Sequence, residues 1–85
     1  MSRKISYVKE RTVDGTPYGY FVKYTNGTTA DYCNTDKNGR TTGDYYSKAK
    51  LPKGVQKHIN SRTGTDFSSN LDKKNMKTYG VKLYK

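Results

Sequence analysis

The chain has 85 residues, of which 17 are Lys or Arg and 7 are Asp or Glu, giving a formal net charge of +10. A chain this short buries only about 60% of the surface that its unfolded form exposes, so the composition predicts one thin-cored domain over residues 1–85, without a deep catalytic cleft. The single cysteine excludes an internal disulfide bond. Because no apolar run is long enough for a signal peptide or a membrane span, we expect a cytoplasmic protein that is not secreted and contacts no membrane.

Three dipeptides typical of tight hairpin turns recur at regular intervals, at Asp14-Gly15, Asn26-Gly27 and Asn38-Gly39. Such pairs accept positive φ at both central positions of a type I′ turn, and the twist of that turn matches the flanking strands. The third turn is the weakest, because residues 34–37 and 41–44 have the composition of a loop. The sequence therefore predicts an antiparallel β-meander of three to four strands within residues 1–50, with the fourth over about residues 40–48.

Two-residue turns also fix which side chains share a face of the sheet, because strand side chains alternate. The first turn pairs Arg11 with Tyr18 and Lys9 with Tyr20, and the same register pairs Val13 with Thr16, Tyr7 with Val22 and Ile5 with Tyr24. This register predicts an open face where tyrosines alternate with basic residues. The opposite face then carries the apolar patch that the C-terminal segment covers, made of Val8, Phe21, Ala30 and Tyr32, with Lys23 toward its edge. In the alternative arrangement the tyrosine face is the core, because it also carries Ile5, Val13 and Val22.

The C-terminal segment, residues 51–85, is the more basic part of the chain. Leu51, Val55 and Ile59 follow one another at helical spacing after the meander, and Pro52 stands near the start, so we expect a short helix near residues 52–60. Residues 60–70 are mostly small or polar and predict a loop, and residues 71–76 predict one more helical turn. Alternation over residues 78–84 predicts a final strand at a sheet edge. The predicted class is α+β, mostly β.

No pattern in the sequence is typical of catalysis. His58 is the only histidine and stands beside Lys57 without a neighbouring carboxylate, which favours a phosphate contact or a solvated position over general-base catalysis. Cys33 lies in a predicted strand, where we expect a small half-buried apolar side chain. One Cys and one His do not supply the four ligands of a zinc site. We therefore expect no enzymatic activity, no metal site and no cofactor.

The charge favours a polyanionic partner, because each phosphate that a cation neutralises releases a counterion. Nine tyrosines exceed what a thin core needs, and tyrosine rings beside cations suit stacking on bases. The sequence therefore predicts nucleic-acid binding, with duplex DNA favoured and single strands or RNA as variants. The candidate contacts on the sheet are Lys9, Arg11, Tyr18, Tyr20 and Lys48, and those on the helix and loop are Lys53, Lys57 and Arg62.

A protein target is the alternative. An exposed tyrosine face also suits docking on an acidic surface of a host protein, because Tyr and Arg are enriched in interfaces. The chain would then be a small inhibitor or modulator of the kind that phages and mobile elements encode. The layout of residues 3–60, a short antiparallel sheet followed by a helix, is similar in outline to the sheet-type DNA-binding domains at the N-termini of phage integrases. That similarity implies DNA binding and assigns no residue.

Overall fold

Residues 4–85 are described by the computed structural model, and they form one five-stranded antiparallel sheet with one α-helix against it. The first three residues, which the predicted domain and meander include, lie outside the described residues. The elements are β1 (Ile5–Val13), β2 (Thr16–Tyr24), β3 (Thr29–Cys33), a 3-10 turn (Lys48–Lys50), α1 (Lys53–Asn60), β4 (Thr65–Asp72) and β5 (Lys77–Tyr84). Along the sheet the strand order is β3-β2-β1-β5-β4. The predicted α+β, mostly β class is confirmed.

The first hairpin has the predicted turn. Asp14 has φ of 51° and Gly15 has φ of 81°, so both central residues take the positive φ of a type I′ turn. The second hairpin joins β2 to β3 at the predicted place, but only Gly27 has positive φ, and its N–H donates to the Tyr24 carbonyl at 3.1 Å. The predicted type I′ geometry is therefore wrong at Asn26-Gly27.

The third turn does not lead into a fourth strand of the meander. Gly39 again has positive φ, yet the pairing around this turn is limited to one bridge between Thr35 and Thr41. The Asp36 carboxylate accepts hydrogen bonds from the backbone N–H groups of Asn38 and Arg40, which holds the loop in a closed conformation. The meander therefore has three strands, and the predicted strand over residues 40–48 is wrong.

The β1–β2 register departs from the predicted one at two irregularities. Val13 lies opposite Thr16 as predicted, but a shift between Arg11 and Thr12 brings Gly19 opposite Arg11. The shift occurs beside Pro17, which has no N–H to donate to the ladder. A second shift, between Ile5 and Tyr7, restores the predicted pair of Ile5 with Tyr24. A one-residue slip moves side chains to the other face. The predicted face therefore holds for Tyr7, Lys9 and Arg11 of β1 but is wrong for β2 from Tyr20 to Tyr24.

The core lies between one face of the sheet and α1. Phe21, predicted to be in the core, lies on the other face, whereas Ala30 and Tyr32 pack against the core as predicted. Leu51, Val55 and Ile59 of the C-terminal segment cover this face, which confirms the predicted helix and its role. The buried apolar residues are Val8, Tyr20, Val22, Tyr24, Leu51, Val55, Ile59 and Tyr84.

The predicted C-terminal strand is confirmed as β5, but its predicted position at a sheet edge is wrong, because β5 pairs with β1 on one side and with β4 on the other. Both halves of the chain therefore share one sheet in a small single domain. Strand β4 is an additional strand, so the predicted loop over residues 60–70 is wrong from Thr65 onward and the predicted helical turn over residues 71–76 is wrong. The Asp72 carboxylate accepts hydrogen bonds from the Lys74 and Asn75 N–H groups in the β4–β5 turn. A hydrogen bond from the Asn75 side chain, together with these backbone bonds, holds the pKa of Asp72 below its usual value.

His58 joins the helix to the end of the sheet. Its side chain is 7% exposed, and Nε2 donates a hydrogen bond to the Tyr84 carbonyl at 3.1 Å. The residue is therefore a buried structural contact, and the predicted solvated or phosphate-binding position is wrong. No helix within residues 4–85 combines the length and apolar character needed to cross a bilayer.

Candidate nucleic-acid interface

The face of the sheet opposite α1 carries a mixture of rings and cations. Val8 is fully buried against the helix side, so its strand neighbours Tyr7 and Lys9 point away from the helix. The register adds Phe21 opposite Lys9 and Val81 opposite Arg11. We call this surface the open face and define it by Tyr7, Lys9, Arg11, Tyr18, Phe21, Lys23, Asp31, Tyr79, Val81 and Leu83.

Two rings and two cations form the centre of the open face. The ring centroids of Tyr7 and Phe21 are 6.3 Å apart, and the rings are tilted by 34°. Lys9 Nζ lies 5.6 Å from the Tyr7 centroid and 5.9 Å from the Phe21 centroid. The guanidinium carbon of Arg11 lies 6.0 Å from the Phe21 centroid. Each cation–π contact at such half-exposed positions contributes about 0.5–1 kcal/mol, so the cluster keeps its cations beside the rings.

One carboxylate adjoins this cluster. Asp31 of β3 lies opposite Phe21 in the ladder, and its Oδ1 is 3.9 Å from Arg11 Nη2. The side chains of Arg11 and Asp31 are 44% and 59% exposed, respectively. An ion pair that is long and exposed contributes little to folding. Its main effect is to offset part of the positive charge at the centre of the open face.

A second ring pair lies at the end of the open face nearest the first hairpin turn. The Tyr18 and Tyr79 centroids are 6.3 Å apart and their planes meet at 82°, an edge-to-face arrangement. Tyr79 is 37% exposed. The turn itself is tied to β5, because the Asp14 N–H donates to the Thr78 carbonyl and Asp14 Oδ1 accepts from the Thr78 N–H. These bonds fix the position of the second ring pair.

The structure divides the predicted contact residues between two sides of the sheet. Lys9, Arg11 and Tyr18 lie on the open face, as the prediction requires. The others lie on the helix side: Lys48 Nζ donates to Asn60 Oδ1 at 2.8 Å, Lys53 and Lys57 belong to α1, and Arg62 follows that helix. Lys48, Lys53 and Lys57 therefore do not share a face with Lys9 and Arg11, whereas Arg62 also lines a cavity with Leu83 of the open face.

Tyr20 requires a correction. It is 3% exposed on the helix side and packs edge-on against Tyr46, with 6.1 Å between centroids. Burial, and next the nearby Glu10 carboxylate, raise the pKa of Tyr20 well above its usual range. The predicted position of Tyr20 on an open face is therefore wrong, because the register shift beside Pro17 exchanges it with Phe21.

Seven of the ten members of the open face are not among the predicted contacts, and these include Tyr7, Phe21 and Lys23. The sequence predicts the correct face for Tyr7 and the opposite face for Phe21 and Lys23. The signal that points to them is Pro17, since a proline two residues into a strand indicates an irregular ladder.

A polar cluster lies on the helix side near the end of β5. The Tyr84 hydroxyl donates a hydrogen bond to Glu10 Oε2 at 3.1 Å. Burial, together with the charges of Glu10 and Asp66, raises the pKa of Tyr84 to about 12. The neutral phenol is thus the form that the folded state stabilises.

Comparisons of this chain with protein-family models, with curated proteins and with solved structures find no match. Within the part of the chain that the structure describes, no group of three or more His, Cys, Asp and Glu side chains is placed to hold a metal ion.

Proposed function

We propose that the protein is a non-enzymatic nucleic-acid-binding protein and that the open face is its binding surface. The observation that carries the proposal is the Tyr7–Phe21 ring pair with Lys9 and Arg11 beside it, on the side of the sheet opposite α1. Cations neutralise backbone phosphates, and half-exposed rings stack on bases. The net charge of +10 adds long-range attraction to any polyanion. The proposal includes a cytoplasmic location, in the host cell if a phage encodes the chain.

The width of the sheet favours a single strand over a duplex. Neighbouring strands lie about 4.8 Å apart, so five strands extend over roughly 20 Å. The major groove of B-DNA is only about 12 Å wide and accommodates an α-helix or a two-stranded ribbon. The two rings belong to β1, the central strand, and to β2 beside it. Unstacked bases of a single strand reach such a central position without deforming a duplex, so we propose single-stranded nucleic acid as the ligand.

A protein partner is the second candidate function, and the β4–β5 hairpin favours it. Phe67, Leu71 and Met76 are 68%, 54% and 77% exposed there, respectively. The intervening turn carries Lys73 and Lys74. Exposed apolar side chains among cations suit an interface with an acidic protein surface, as an inhibitor or modulator would form.

A fluorescence-anisotropy titration tests the proposed function. Labelled single-stranded DNA and RNA of about 12 nucleotides, and the matching duplex, are titrated at two salt concentrations. Lys9→Gln/Arg11→Gln removes two charges from the open face, and Lys73→Gln/Lys74→Gln removes two from the β4–β5 turn as a matched control. We expect the single strand to bind best, with affinity that falls steeply with salt and is about tenfold weaker in the open-face variant.

Equal losses in the two variants would contradict the open face as the binding surface. An absence of binding to all three ligands would contradict nucleic-acid binding itself and favour the protein partner.

A further inference from the structure

A second basic surface lies on the other side of the sheet. A pocket of about 490 Å³ opens between the start of β1 and α1. Three of its lining residues are cations, Lys4, Lys57 and Arg62, and none is acidic. Ile5, Gly54, His58 and Ser61 complete the lining. We call this the helix-side pocket.

The helix-side pocket is held in shape by hydrogen bonds that leave its charge uncompensated. Arg62 Nη1 donates to Ser61 Oγ at 2.8 Å and to the His58 carbonyl at 3.2 Å, which fixes the guanidinium against the end of α1. In the described part of the chain, the ion pair within 4.0 Å joins Arg11 to Asp31 on the open face, and none involves a pocket cation. Like charges around one pocket repel each other, so an anion bound between them relieves that repulsion.

The two basic surfaces lie on opposite sides of the sheet, because Lys9 and Arg11 point away from α1, to which Lys57 belongs. Arg62, which follows α1, also lines a cavity with Leu83 of the open face. Lys4 and Lys57 are therefore the cations that distinguish the helix-side pocket from the open face.

We infer that the helix-side pocket binds the phosphates of a second nucleic-acid segment, so that one protein molecule bridges two segments. This inference rests on the proposed function of the open face. It accounts for the division of the basic residues between two sides of the sheet. The pocket contributes cations without an exposed ring pair, which predicts contact with the phosphate backbone and no base preference.

Gly54 offers a direct test. A Cβ built on Gly54 meets no heavy atom within 4 Å, and glutamate favours a helix more than glycine does. Gly54→Glu therefore adds a carboxylate to the pocket in a protein that still folds. Gly54→Gln is the uncharged control, and Lys73→Gln loses one unit of charge at a site remote from the pocket.

The measurement counts bound oligonucleotides by native mass spectrometry, with single strands of about six nucleotides. We expect two per protein for the native chain, Gly54→Gln and Lys73→Gln, and one for Gly54→Glu. Donor-labelled and acceptor-labelled strands should show energy transfer with the native chain and lose it with Gly54→Glu. Lys9→Gln/Arg11→Gln should retain one strand, at the helix-side pocket.

One strand per native protein, lost in Lys9→Gln/Arg11→Gln, would overturn the second site while the proposed function stands. No strand bound to the native chain would overturn the proposed function, and the bridging role with it. A pyrophosphate titration followed by NMR distinguishes a small phosphate ligand from a nucleic-acid backbone. If pyrophosphate shifts the amides of Lys57 and Arg62 and no second strand binds, the pocket is a site for a small phosphate. That result would overturn the bridging role.

Discussion

Lys9 and Phe21 lie opposite each other on β1 and β2, with the Lys9 ammonium 5.9 Å from the centroid of the Phe21 ring. Arg11 contacts the same ring from a distance of 6.0 Å. One half-buried ring thus holds two cations beside it, at the centre of a face opposite the helix. The proposed binding of a single strand depends on this arrangement.

The first prediction contrasts Phe21→Ala with its sequence neighbour, Tyr20→Ala. Phe21→Ala should weaken binding by about 1–3 kcal/mol, the usual contribution of one base–aromatic stack, with a small effect on folding. Tyr20→Ala removes a ring that is 3% exposed and should lower the free energy of unfolding by about 3–5 kcal/mol. Urea denaturation and anisotropy measure the two effects. The reverse pattern, an unstable Phe21→Ala and a tolerated Tyr20→Ala, would contradict the observed faces.

A second prediction concerns the carboxylate beside Arg11. Asp31→Asn should tighten nucleic-acid binding several-fold at low salt, because it removes a negative charge 3.9 Å from the Arg11 guanidinium. Its effect on folding should stay within about 0.5 kcal/mol, since the pair is exposed. Asp44→Asn, outside the open face, is the charge-matched control. Equal tightening by both substitutions would show that Asp31 lies no closer to the bound nucleic acid than Asp44 does.

A third prediction follows from the raised pKa of Tyr84. Its folded-state pKa is about 12, against 10.0 for an unperturbed tyrosine. The folded state holds the phenolic proton more tightly, so this contribution to stability is fully present below pH 10. It is lost as the pH rises from 10 to 12. The raised pKa of buried Tyr20 acts in the same direction.

Tyr84→Phe separates these effects. The variant loses the hydrogen bond to Glu10 and should be less stable at pH 7 by about 0.5–1.5 kcal/mol. Its stability should then decline less than that of the native chain between pH 10 and pH 12. Urea denaturation at pH 7, 10 and 11 makes the comparison. An equal decline in both proteins would show that Tyr84 does not contribute to the alkaline transition.

A fourth prediction concerns the bond between α1 and β5. His58→Leu leaves the Tyr84 carbonyl without its donor and should lower the free energy of unfolding by about 1–3 kcal/mol. His58→Gln keeps a side-chain N–H donor and should recover part of that loss. Thermal unfolding of the two variants provides the measurement. A His58→Leu protein as stable as the native chain would show that this hydrogen bond contributes nothing to stability.

The parts of the fold that could be predicted from the sequence depend on local signals. Asp14-Gly15 specifies its turn through its own backbone preferences, and the apolar spacing of Leu51, Val55 and Ile59 specifies the helix and its buried side. Strand β4 has no such signal, because Thr65–Asp72 contains few residues that favour strands. Its pairing with β5 comes from tertiary context, which single-sequence patterns do not contain.

The candidate site was predicted in part for a related reason. Lys9 and Arg11 lie on β1, and the predicted open face holds for them. Tyr20 and Phe21 lie on the faces opposite to those predicted because the register shifts beside Pro17, and a shift of one residue moves the β2 side chains that follow it to the other face. Lys57 lies on α1 and Arg62 follows it, and α1 covers the side of the sheet opposite the open face. The strand register decides which side of the sheet is apolar and is therefore covered by the helix.

The central claim is that the open face binds nucleic acid, and NMR shift mapping tests it most directly. Isotope-labelled protein is titrated with a short single-stranded oligonucleotide, and the backbone amides of β1 and β2 are followed. The account predicts that the earliest and largest shifts occur at Tyr7, Lys9, Arg11 and Phe21. Shifts confined to α1 and the β4–β5 turn, with β1 and β2 unchanged at saturation, would contradict it.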